Sequence, residues 1–368
     1  MKHNARFRQF ELYIKGITPE DRVAIVFDSD ADGLTAAVLA AKAIERLRGK
    51  KPELIFTQGH GPVSIHTETL ALLRKKKINR LITLDLAVDQ NSETIKKAEA
   101  FANVLVIDHH KIYNDLSSKK TVFIKAHYFS SIDPSRYPTS KFCYDLFSEL
   151  VDLSDYSWCA CIGLVGDYAY GQWKSFLNKC LKKQGCSFDQ LGKIVGLISA
   201  VESIDRSKIV KLFNEFYNAK EPKSLLKSKY FSYRETMEKE LDRIMGGFVL
   251  NSEKFDGLEL IFYEFKSKYS VKSAVIDNLT KRYPDKTVVV LQDMSKNFLM
   301  ISARRQDFRY KMNEMFETAT KSLKEGYGGG HIPAAGGKIR KADRKKFKEN
   351  VKAYLKKMMN FKNKGVVV

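Results

Sequence analysis

Acidic and histidine side chains follow three short apolar segments of this chain, each at the point where the segment ends. Hard divalent cations prefer carboxylate oxygens, and imidazole nitrogens join them at sites for Mn²⁺ and similar ions. Carboxylates this close together repel one another unless a cation lies among them. The residue types and their spacing therefore indicate a divalent metal site. The residues concerned are Asp28, Asp30 and Asp32 after the first segment, Asp85 after the second, and Asp108, His109 and His110 after the third.

The three apolar segments are predicted to be buried parallel strands. Residues 23–27, 81–84 and 104–107 read V-A-I-V-F, L-I-T-L and V-L-V-I, and apolar runs of this length are typical of parallel sheets covered on both faces. Asp85 and His109 are 24 positions apart, which fits one strand–helix–strand step. Ligands bind beyond the carboxyl ends of strands in open α/β sheets. We therefore expect the acids and histidines at one edge of a doubly wound sheet.

Other interpretations remain open for each motif by itself. Residues 28–33 could bind phosphate as a glycine-rich loop does, although they include a single glycine, or could cap the following helix, which would explain one aspartate. The histidine pair at 109–110 could lie in an ordinary solvated loop. Asp167 favours the metal interpretation, because it interrupts an apolar helix predicted over 157–168. A buried carboxylate at that position requires a cation or a strong hydrogen-bond donor.

The chain has 368 residues and a formal net charge of +21, with 64 lysines and arginines against 43 acidic residues. This excess indicates a polyanionic partner such as nucleic acid, although a lysine-rich solvated surface would also account for it. The length predicts two domains. No apolar run is long enough to cross a bilayer, and the first residues lack the apolar core of a secretory signal. We therefore expect a cytoplasmic protein without membrane contact.

The second half of the chain predicts a helical connector and a smaller domain that contains strands. We place the first domain at residues 1–195, the connector at 196–254 and the second domain at 255–368, which ends in a basic helix with one packed and one cationic face. Backbone N–H groups of a glycine-rich loop at 326–337 could bind an anion, or the segment could be a flexible turn. The residues expected to face the anion are Gly328, Gly329, Gly330 and His331.

Taken in order, these motifs resemble those of the DHH phosphoesterases. The resemblance covers D-S-D-A-D-G at 28–33, Asp85, D-H-H at 108–110 and G-L-V-G-D at 163–167, and G-G-G-H at 328–331 is similar to the signature of the DHH-associated C-terminal domain. The first motif resembles the RecJ-like, archaeal-type exonuclease branch. The resemblance implies an α/β fold: a doubly wound parallel sheet, a helical connector and a smaller C-terminal α/β domain, with the active site in the cleft between the domains.

The resemblance also implies roles for the residues at the sheet edge. Two divalent ions, Mn²⁺ or Mg²⁺, would be bound there, with Asp85 shared between them and Asp28 assisting. His110 would contact the phosphoryl oxygen or orient a ligand, and Asp108 would fix the tautomer of a histidine. The implied metal ligands are Asp28, Asp30, Asp32, Asp85, His109 and Asp167, and all of these except Asp28, together with His110, are the implied catalytic residues.

The implied activity is hydrolysis of single-stranded DNA or RNA to mononucleotides by an activated water. Arg304, with Arg305 as the alternative, would bind substrate phosphate beside the glycines and His331. A nanoRNase-like or cyclic-dinucleotide phosphodiesterase that acts on short oligonucleotides is the second interpretation. A non-catalytic replication scaffold is the third, and it would predict eroded metal ligands. The resemblance also implies replication or repair proteins as partners, while polarity and the choice between DNA and RNA stay open.

Overall fold

The computed structural model describes residues 4–58 and 64–363. The chain divides into two compact units, Met1–Arg234 and Glu235–Val368. The division lies within the segment 196–254, for which the sequence predicts a helical connector, and the exact domain boundaries stay predictions. Among the described helices, none is both long and apolar enough to cross a membrane.

The first unit alternates strands and helices from its start. Its strands are β1 (Val23–Phe27), β2 (Leu54–Phe56), β3 (Arg80–Leu84), β4 (Asn103–Asp108) and β5 (Thr121–Lys125). Its helices are α1 (Ala5–Lys15), α2 (Ala31–Arg48), α3 (Thr67–Lys75), α4 (Ser92–Glu99), α5 (Thr139–Ser148), α6 (Ser157–Gly166), α7 (Lys174–Gln184), α8 (Phe188–Asp205), α9 (Ile209–Asn218) and α10 (Ser232–Gly246), which continues into the second unit.

The five strands form one parallel sheet in the order β2-β1-β3-β4-β5. All five residues of β1 are buried, and they alternate between two cores. Val23, Ile25 and Phe27 face the core that contains α1, α2, α5, α6, α8 and α9, whereas Ala24 and Val26 face the core that contains α3 and α4. Helices therefore cover both faces of the sheet, as the apolar strands require. The predicted doubly wound parallel sheet is confirmed.

The second unit is a smaller α/β domain, as predicted, built on a mixed sheet in the order β10-β11-β9-β8-β7-β6. Its strands pair antiparallel except for β7 and β8. The strands are β6 (Ser252–Phe255), β7 (Leu260–Lys266), β8 (Thr287–Asp293), β9 (Phe298–Arg304), β10 (Tyr327–Gly330) and β11 (Ala334–Arg340), and the helices are α11 (Phe248–Asn251), α12 (Lys272–Arg282), α13 (Met312–Thr320) and α14 (Arg344–Asn363).

The last helix, α14, has the packed face that the sequence predicts. Phe347, Val351, Tyr354 and Leu355 are buried against α13 and the sheet. Its lysines and arginines lie on the remaining surface, where Arg344 and Lys348 pair with Glu264 and Glu253. The position of the active site between the two domains stays a prediction.

Candidate functional site

Strands β1, β3 and β4 are neighbours in the sheet, so the polar residues that follow them meet at its carboxyl edge. The Nε2 atom of His109 lies 3.4 Å from Asp85 Oδ1, 3.6 Å from Asp167 Oδ2 and 4.0 Å from Asp32 Oδ2. Asp32, Asp85 and His109 are buried, and each offers a ligand atom within 4.8 Å of the other two. One imidazole nitrogen and three carboxylates from separate parts of the sequence therefore converge on a small volume.

The tautomer of His109 is fixed by its second ring nitrogen. The Nδ1 atom lies 3.0 Å from the carbonyl oxygen of Pro134, which can only accept a hydrogen bond. The proton is therefore on Nδ1, and the Nε2 lone pair faces the carboxylates. Burial, with a smaller contribution from His110, lowers the pKa of His109 to about 3. The ring is neutral near pH 7, which is the form that binds metals.

The start of helix α5 holds two of the carboxylates in place. Asp32 accepts hydrogen bonds from the backbone N–H groups of Thr139, at 2.6 Å, and Ser140, at 2.9 Å. The Thr139 hydroxyl donates to Asp85 Oδ1 at 2.9 Å. Burial raises the pKa of Asp32 to about 6 although these hydrogen bonds oppose the shift. Burial, Asp32 and Asp30 raise the pKa of Asp85 well above its usual value, so the metal-free cluster resists full ionisation.

The remaining aspartates of the first loop have local partners. Asp30 caps helix α2, with Oδ1 accepting the Gly33 N–H at 2.9 Å, so the capping interpretation holds for this one aspartate. Burial, followed by Asp28 and Glu202, raises the pKa of Asp30 well above its usual value. Asp28 Oδ1 accepts a hydrogen bond from Arg206 at 3.3 Å. Asp28 and Asp30 belong to the same sequence motif as Asp32. Neither of them is part of a group of potential metal-ligand atoms among the described residues, such as the group of Asp32, Asp85 and His109.

Asp108 supports the two histidines from behind. Its Oδ1 accepts the backbone N–H of His109 at 2.8 Å, the backbone N–H of His110 at 3.2 Å and His110 Nδ1 at 2.8 Å, and its Oδ2 accepts Lys125 Nζ at 2.5 Å. Burial opposes ionisation, but Lys125 and His110 hold the pKa of Asp108 well below its usual range. Burial lowers the pKa of His110, and Asp108 more than offsets this, so the net shift is upward. Asp108 therefore stays ionised as an acceptor.

Asp167 reaches the cluster because its helix ends earlier than the sequence predicts. Helix α6 stops at Gly166, and Asp167 follows as the C-terminal cap instead of interrupting a helix over 157–168. Tyr168 then has φ +55°, and Asp85 has φ +58°. Non-glycine residues adopt such left-handed conformations at a cost of roughly 1–3 kcal/mol, and they concentrate at functional sites. The backbone of Asp85 is therefore strained, and Asp167 directly precedes a strained residue.

The glycine segment of the second unit is an edge strand instead of a loop. Gly328, Gly329 and Gly330 form β10 and pair with Gly337, Gly336 and Ala335 of β11. A Cβ atom at Gly328 would lie 2.8 Å from Phe316 Cβ, so close packing on α13 explains this glycine, and Gly330 has φ +137°. His331 lies in the turn that follows, where its N–H donates to Ala334 O at 2.7 Å.

The two candidate arginines differ sharply in their surroundings. Arg305 is buried and forms ion pairs of 2.7 Å with Glu259 and 2.8 Å with Asp307, so it stabilises the fold of the unit. Arg304, at the end of β9, is half-buried, pairs with Asp277 at 2.8 Å and lies opposite Ala334 in the sheet. Arg304 is therefore placed near the turn of His331 and is the more accessible of the two arginines, and its role as a phosphate ligand stays a prediction.

Sequence reasoning missed the residues that hold this site together. Thr139 and Ser140 contact Asp32 from over 100 positions away, and no local spacing signals them. Gly163 belongs to the G-L-V-G-D motif, but the sequence does not indicate that a Cβ there would lie 2.6 Å from Asp32 Oδ1. Lys125 could have been found, since it directly follows the apolar residues 122–124, as the aspartates follow their own apolar segments.

Two family models match the chain. The model described as the DHH family, N-terminal domain, matches residues 22–164, and the DHHA1 domain model matches residues 260–357. The single-stranded-DNA-specific exonuclease RecJ of Haemophilus influenzae is 31% identical over 103 residues, which cover 27% of this chain and 17% of that protein. The matched segment is thus a small part of its curated relative.

Two solved structures are similar over nearly the whole chain. A DHH domain whose description places it in a family of ribosomal proteins superposes with a TM-score of 0.73 at 16% identity, covering 95% of this chain and 89% of that one. RecJ of Thermus thermophilus in complex with Mn²⁺ gives a TM-score of 0.69 at 15% identity, covering 96% of this chain and 55% of that one. At these identities the two structures establish the fold.

Proposed function

Because the chain belongs to the DHH family and carries a DHHA1 domain, we propose that it is a metal-dependent phosphodiesterase with RecJ-like exonuclease activity on single-stranded nucleic acid. The observation that carries the proposal is the convergence of His109 Nε2 with the carboxylates of Asp32, Asp85 and Asp167 at the sheet edge. A non-catalytic scaffold has no need for this arrangement, whereas metal-assisted phosphoryl transfer requires it.

The donor set of the cluster fits divalent cations of the Mn²⁺ or Mg²⁺ type. It combines carboxylate oxygens with one neutral imidazole nitrogen. Burial raises the pKa values of Asp32 and Asp85, and neighbouring carboxylates add to the shift at Asp85. We propose that Asp28, Asp30, Asp32, Asp85, His109 and Asp167 would hold two ions. Such ions supply an attacking water of lowered pKa and offset the charge that develops on the phosphoryl group.

The chain's own residues would orient the substrate and move protons. We assign His110 to contact with the phosphoryl oxygen, because Asp108 fixes its Nδ1 and leaves Nε2 on the far side of the ring. Thr139 would keep Asp85 in place while charge builds up beside it. In the second unit, Arg304 would bind a substrate phosphate beside Gly328, Gly329, Gly330 and His331, since an arginine guanidinium pairs with phosphate oxygens in a fixed geometry.

The preference for single strands rests on the relative and on charge. The Haemophilus influenzae protein that matches part of this chain is a single-stranded-DNA-specific exonuclease. A net charge of +21 suits a polyanionic substrate, because each neutralised phosphate releases counterions. We therefore place long single strands ahead of dinucleotides as substrates.

The test is Mn²⁺-dependent hydrolysis of end-labelled single-stranded DNA and RNA, with a dinucleotide in parallel. We expect stepwise shortening of the long strands by the wild type and its loss in Asp85→Ala. Asp285→Ala is the matched control, because Asp285 is exposed and its ion pair with Lys286 Nζ is long, at 3.9 Å. The end at which label is released gives the polarity.

Two results would contradict the proposal. Cleavage of the dinucleotide alone would replace the exonuclease with an enzyme for short oligonucleotides. A wild-type protein that binds no Mn²⁺ and hydrolyses none of the substrates would leave the replication scaffold as the function.

A further inference from the structure

A fully buried lysine lies directly behind the two histidines. Lys125 ends strand β5, next to Asp108 in the register of the sheet, and it has no exposed surface. Its Nζ atom lies 2.5 Å from Asp108 Oδ2, 3.1 Å from Asp89 Oδ1, 3.1 Å from the carbonyl oxygen of His110 and 3.2 Å from that of Lys111. The ammonium group therefore contacts two carboxylates and two carbonyls at once.

Asp89 extends this network to the end of the histidine loop. The carboxylate is fully buried, and its Oδ2 accepts the backbone N–H of Tyr113 at 2.7 Å. The Asn114 side chain donates to the Asp89 carbonyl at 2.8 Å. Lys125 and Asp89 thus contact the chain at 108, 110, 111, 113 and 114. The loop that carries the histidines is held from behind along its length.

The Asp108 carboxylate lies between Lys125 and the two histidine residues and contacts both sides. One Asp108 oxygen accepts a hydrogen bond from Lys125. The other accepts hydrogen bonds from His110 Nδ1 and from the backbone N–H groups of residues 109 and 110. A carboxylate with all these acceptor positions in use cannot rotate without losing several hydrogen bonds. The direction of the His110 ring, and the backbone that carries His109, therefore depend on where Lys125 holds Asp108.

We propose that Lys125, together with Asp89, is a positioning residue of the metal centre: it fixes Asp108 and the loop so that His109 Nε2 faces the carboxylates and His110 faces the substrate. This inference rests on the proposed function. A buried ion pair adds little to stability compared with apolar residues of similar volume, but it fixes a unique arrangement when its hydrogen bonds are complete. Here the four ammonium contacts go to the histidine loop or to Asp89, which braces that loop.

The deciding variant is Lys125→Met, which keeps the approximate length of the side chain and removes its charge. We expect Mn²⁺ affinity, measured by calorimetry or electron paramagnetic resonance, to fall by about 10- to 100-fold, as is typical for the loss of a residue that supports a metal ligand. At saturating Mn²⁺, kcat should fall by a similar factor while KM for the single strand stays near the wild-type value. The matched control is Lys119→Met, which removes an exposed lysine six positions earlier and should change neither quantity.

A second variant covers the case in which Lys125→Met fails to fold. Asp89→Asn keeps the shape of the side chain and removes its charge. Lys125 retains the carboxylate of Asp108 as a partner. We expect a folded protein, judged by circular dichroism, with Mn²⁺ affinity and kcat reduced by several-fold in the same direction and KM unchanged.

The outcomes separate this inference from the proposed function. If the wild type binds Mn²⁺ and shortens single strands, and folded Lys125→Met or Asp89→Asn matches it in affinity and kcat, the lysine only stabilises the fold and the inference is wrong. If the wild type neither binds Mn²⁺ nor hydrolyses the strand, the proposed function fails first and the inference fails with it.

Discussion

Asp85 is the single residue on which the proposed metal centre depends most. It is buried, has φ +58°, accepts the Thr139 hydroxyl and lies 3.4 Å from His109 Nε2. Its pKa is raised by burial and then by Asp32 and Asp30, so without a metal its charge destabilises the fold. Asp85→Asn keeps the volume and removes the charge. We expect the free energy of unfolding without metal to rise, because a buried charge is removed, and hydrolysis to fall by at least about 100-fold.

Urea unfolding in EDTA and strand hydrolysis in Mn²⁺ measure the two quantities on the same preparation. Asp285→Asn, at an exposed aspartate outside the acidic cluster, should leave both near the wild-type values. A variant Asp85→Asn that is less stable than the wild type in EDTA would show that Asp85 serves the fold and not a metal.

Among individual residues, the sequence predicts the proposed metal ligands better than the residues that hold those ligands in place. Asp32, Asp85 and His109 follow buried strands, and strand ends can be read from apolar runs. Thr139 cannot be found in this way, because its contacts with Asp32 and Asp85 span 107 and 54 positions. Which of Arg304 and Arg305 is the more accessible arginine is equally beyond the sequence, since it depends on the ion pairs of the buried Arg305.

The packing of helix α6 against the start of α5 and against Asp32 depends on Gly163. A Cβ atom there would lie 1.9 Å from Ser140 Oγ and 2.6 Å from Asp32 Oδ1. Gly163→Ala must therefore push α6 away from α5 or move the Asp32 carboxylate. We expect hydrolysis to fall by at least about 10-fold, with a loss of about 1–3 kcal/mol in the free energy of unfolding from overpacking. Strand hydrolysis and urea unfolding measure the two effects.

Helix α8 offers the matched control for a glycine in a helix. An added Cβ at Gly192 would meet no atom within 4 Å. Gly192→Ala should therefore raise the free energy of unfolding by up to about 1 kcal/mol, the difference in helix propensity, and leave hydrolysis unchanged. If Gly163→Ala behaves like Gly192→Ala in both measurements, α6 does not hold Asp32 as the geometry indicates.

Elements with strong periodic or continuous apolar patterns are the ones that the sequence predicts. Strands β1, β3 and β4 and the packed face of α14 are of this kind. Strand β10 is not, because three successive glycines indicate a loop by composition. Its pairing with β11 and the close approach of Gly328 to Phe316 decide its structure, and both contacts depend on the fold of the whole second unit.

For the whole first unit, the strand order β2-β1-β3-β4-β5 explains why residues from separate motifs form one cluster. The order could be expected in part, since the 24 positions between Asp85 and His109 fit neighbouring parallel strands. The helices that complete the cluster, α5 and α6, lie outside this alternation. Their contribution follows from packing on α2, which places Thr139, Ser140 and Gly163 against Asp32, and no strand–helix count predicts it.

The acidic cluster should also make the stability of the protein depend on pH and metal together. Carboxyls with raised pKa values bind more protons in the folded state than in the unfolded one, so the metal-free fold loses stability as pH rises from the unfolded value near 4 through the value of about 6 for Asp32. A divalent cation replaces these protons. The stabilisation by Mn²⁺ should therefore be small at about pH 5 and reach about 2–3 kcal/mol at about pH 7.5 with the ion at about 100 times its Kd.

Thermal unfolding with Mn²⁺ and with EDTA at both pH values gives this difference directly, because carboxylates outside the cluster contribute equally to the two samples and cancel. Asp85→Asn is the internal control: with a proposed ligand gone, its Tm should be nearly the same with Mn²⁺ and EDTA at either pH. An equal stabilisation of the wild type at both pH values would mean that Mn²⁺ binds away from the carboxylates of Asp30, Asp32 and Asp85, since only groups that must lose a proton make the binding depend on pH.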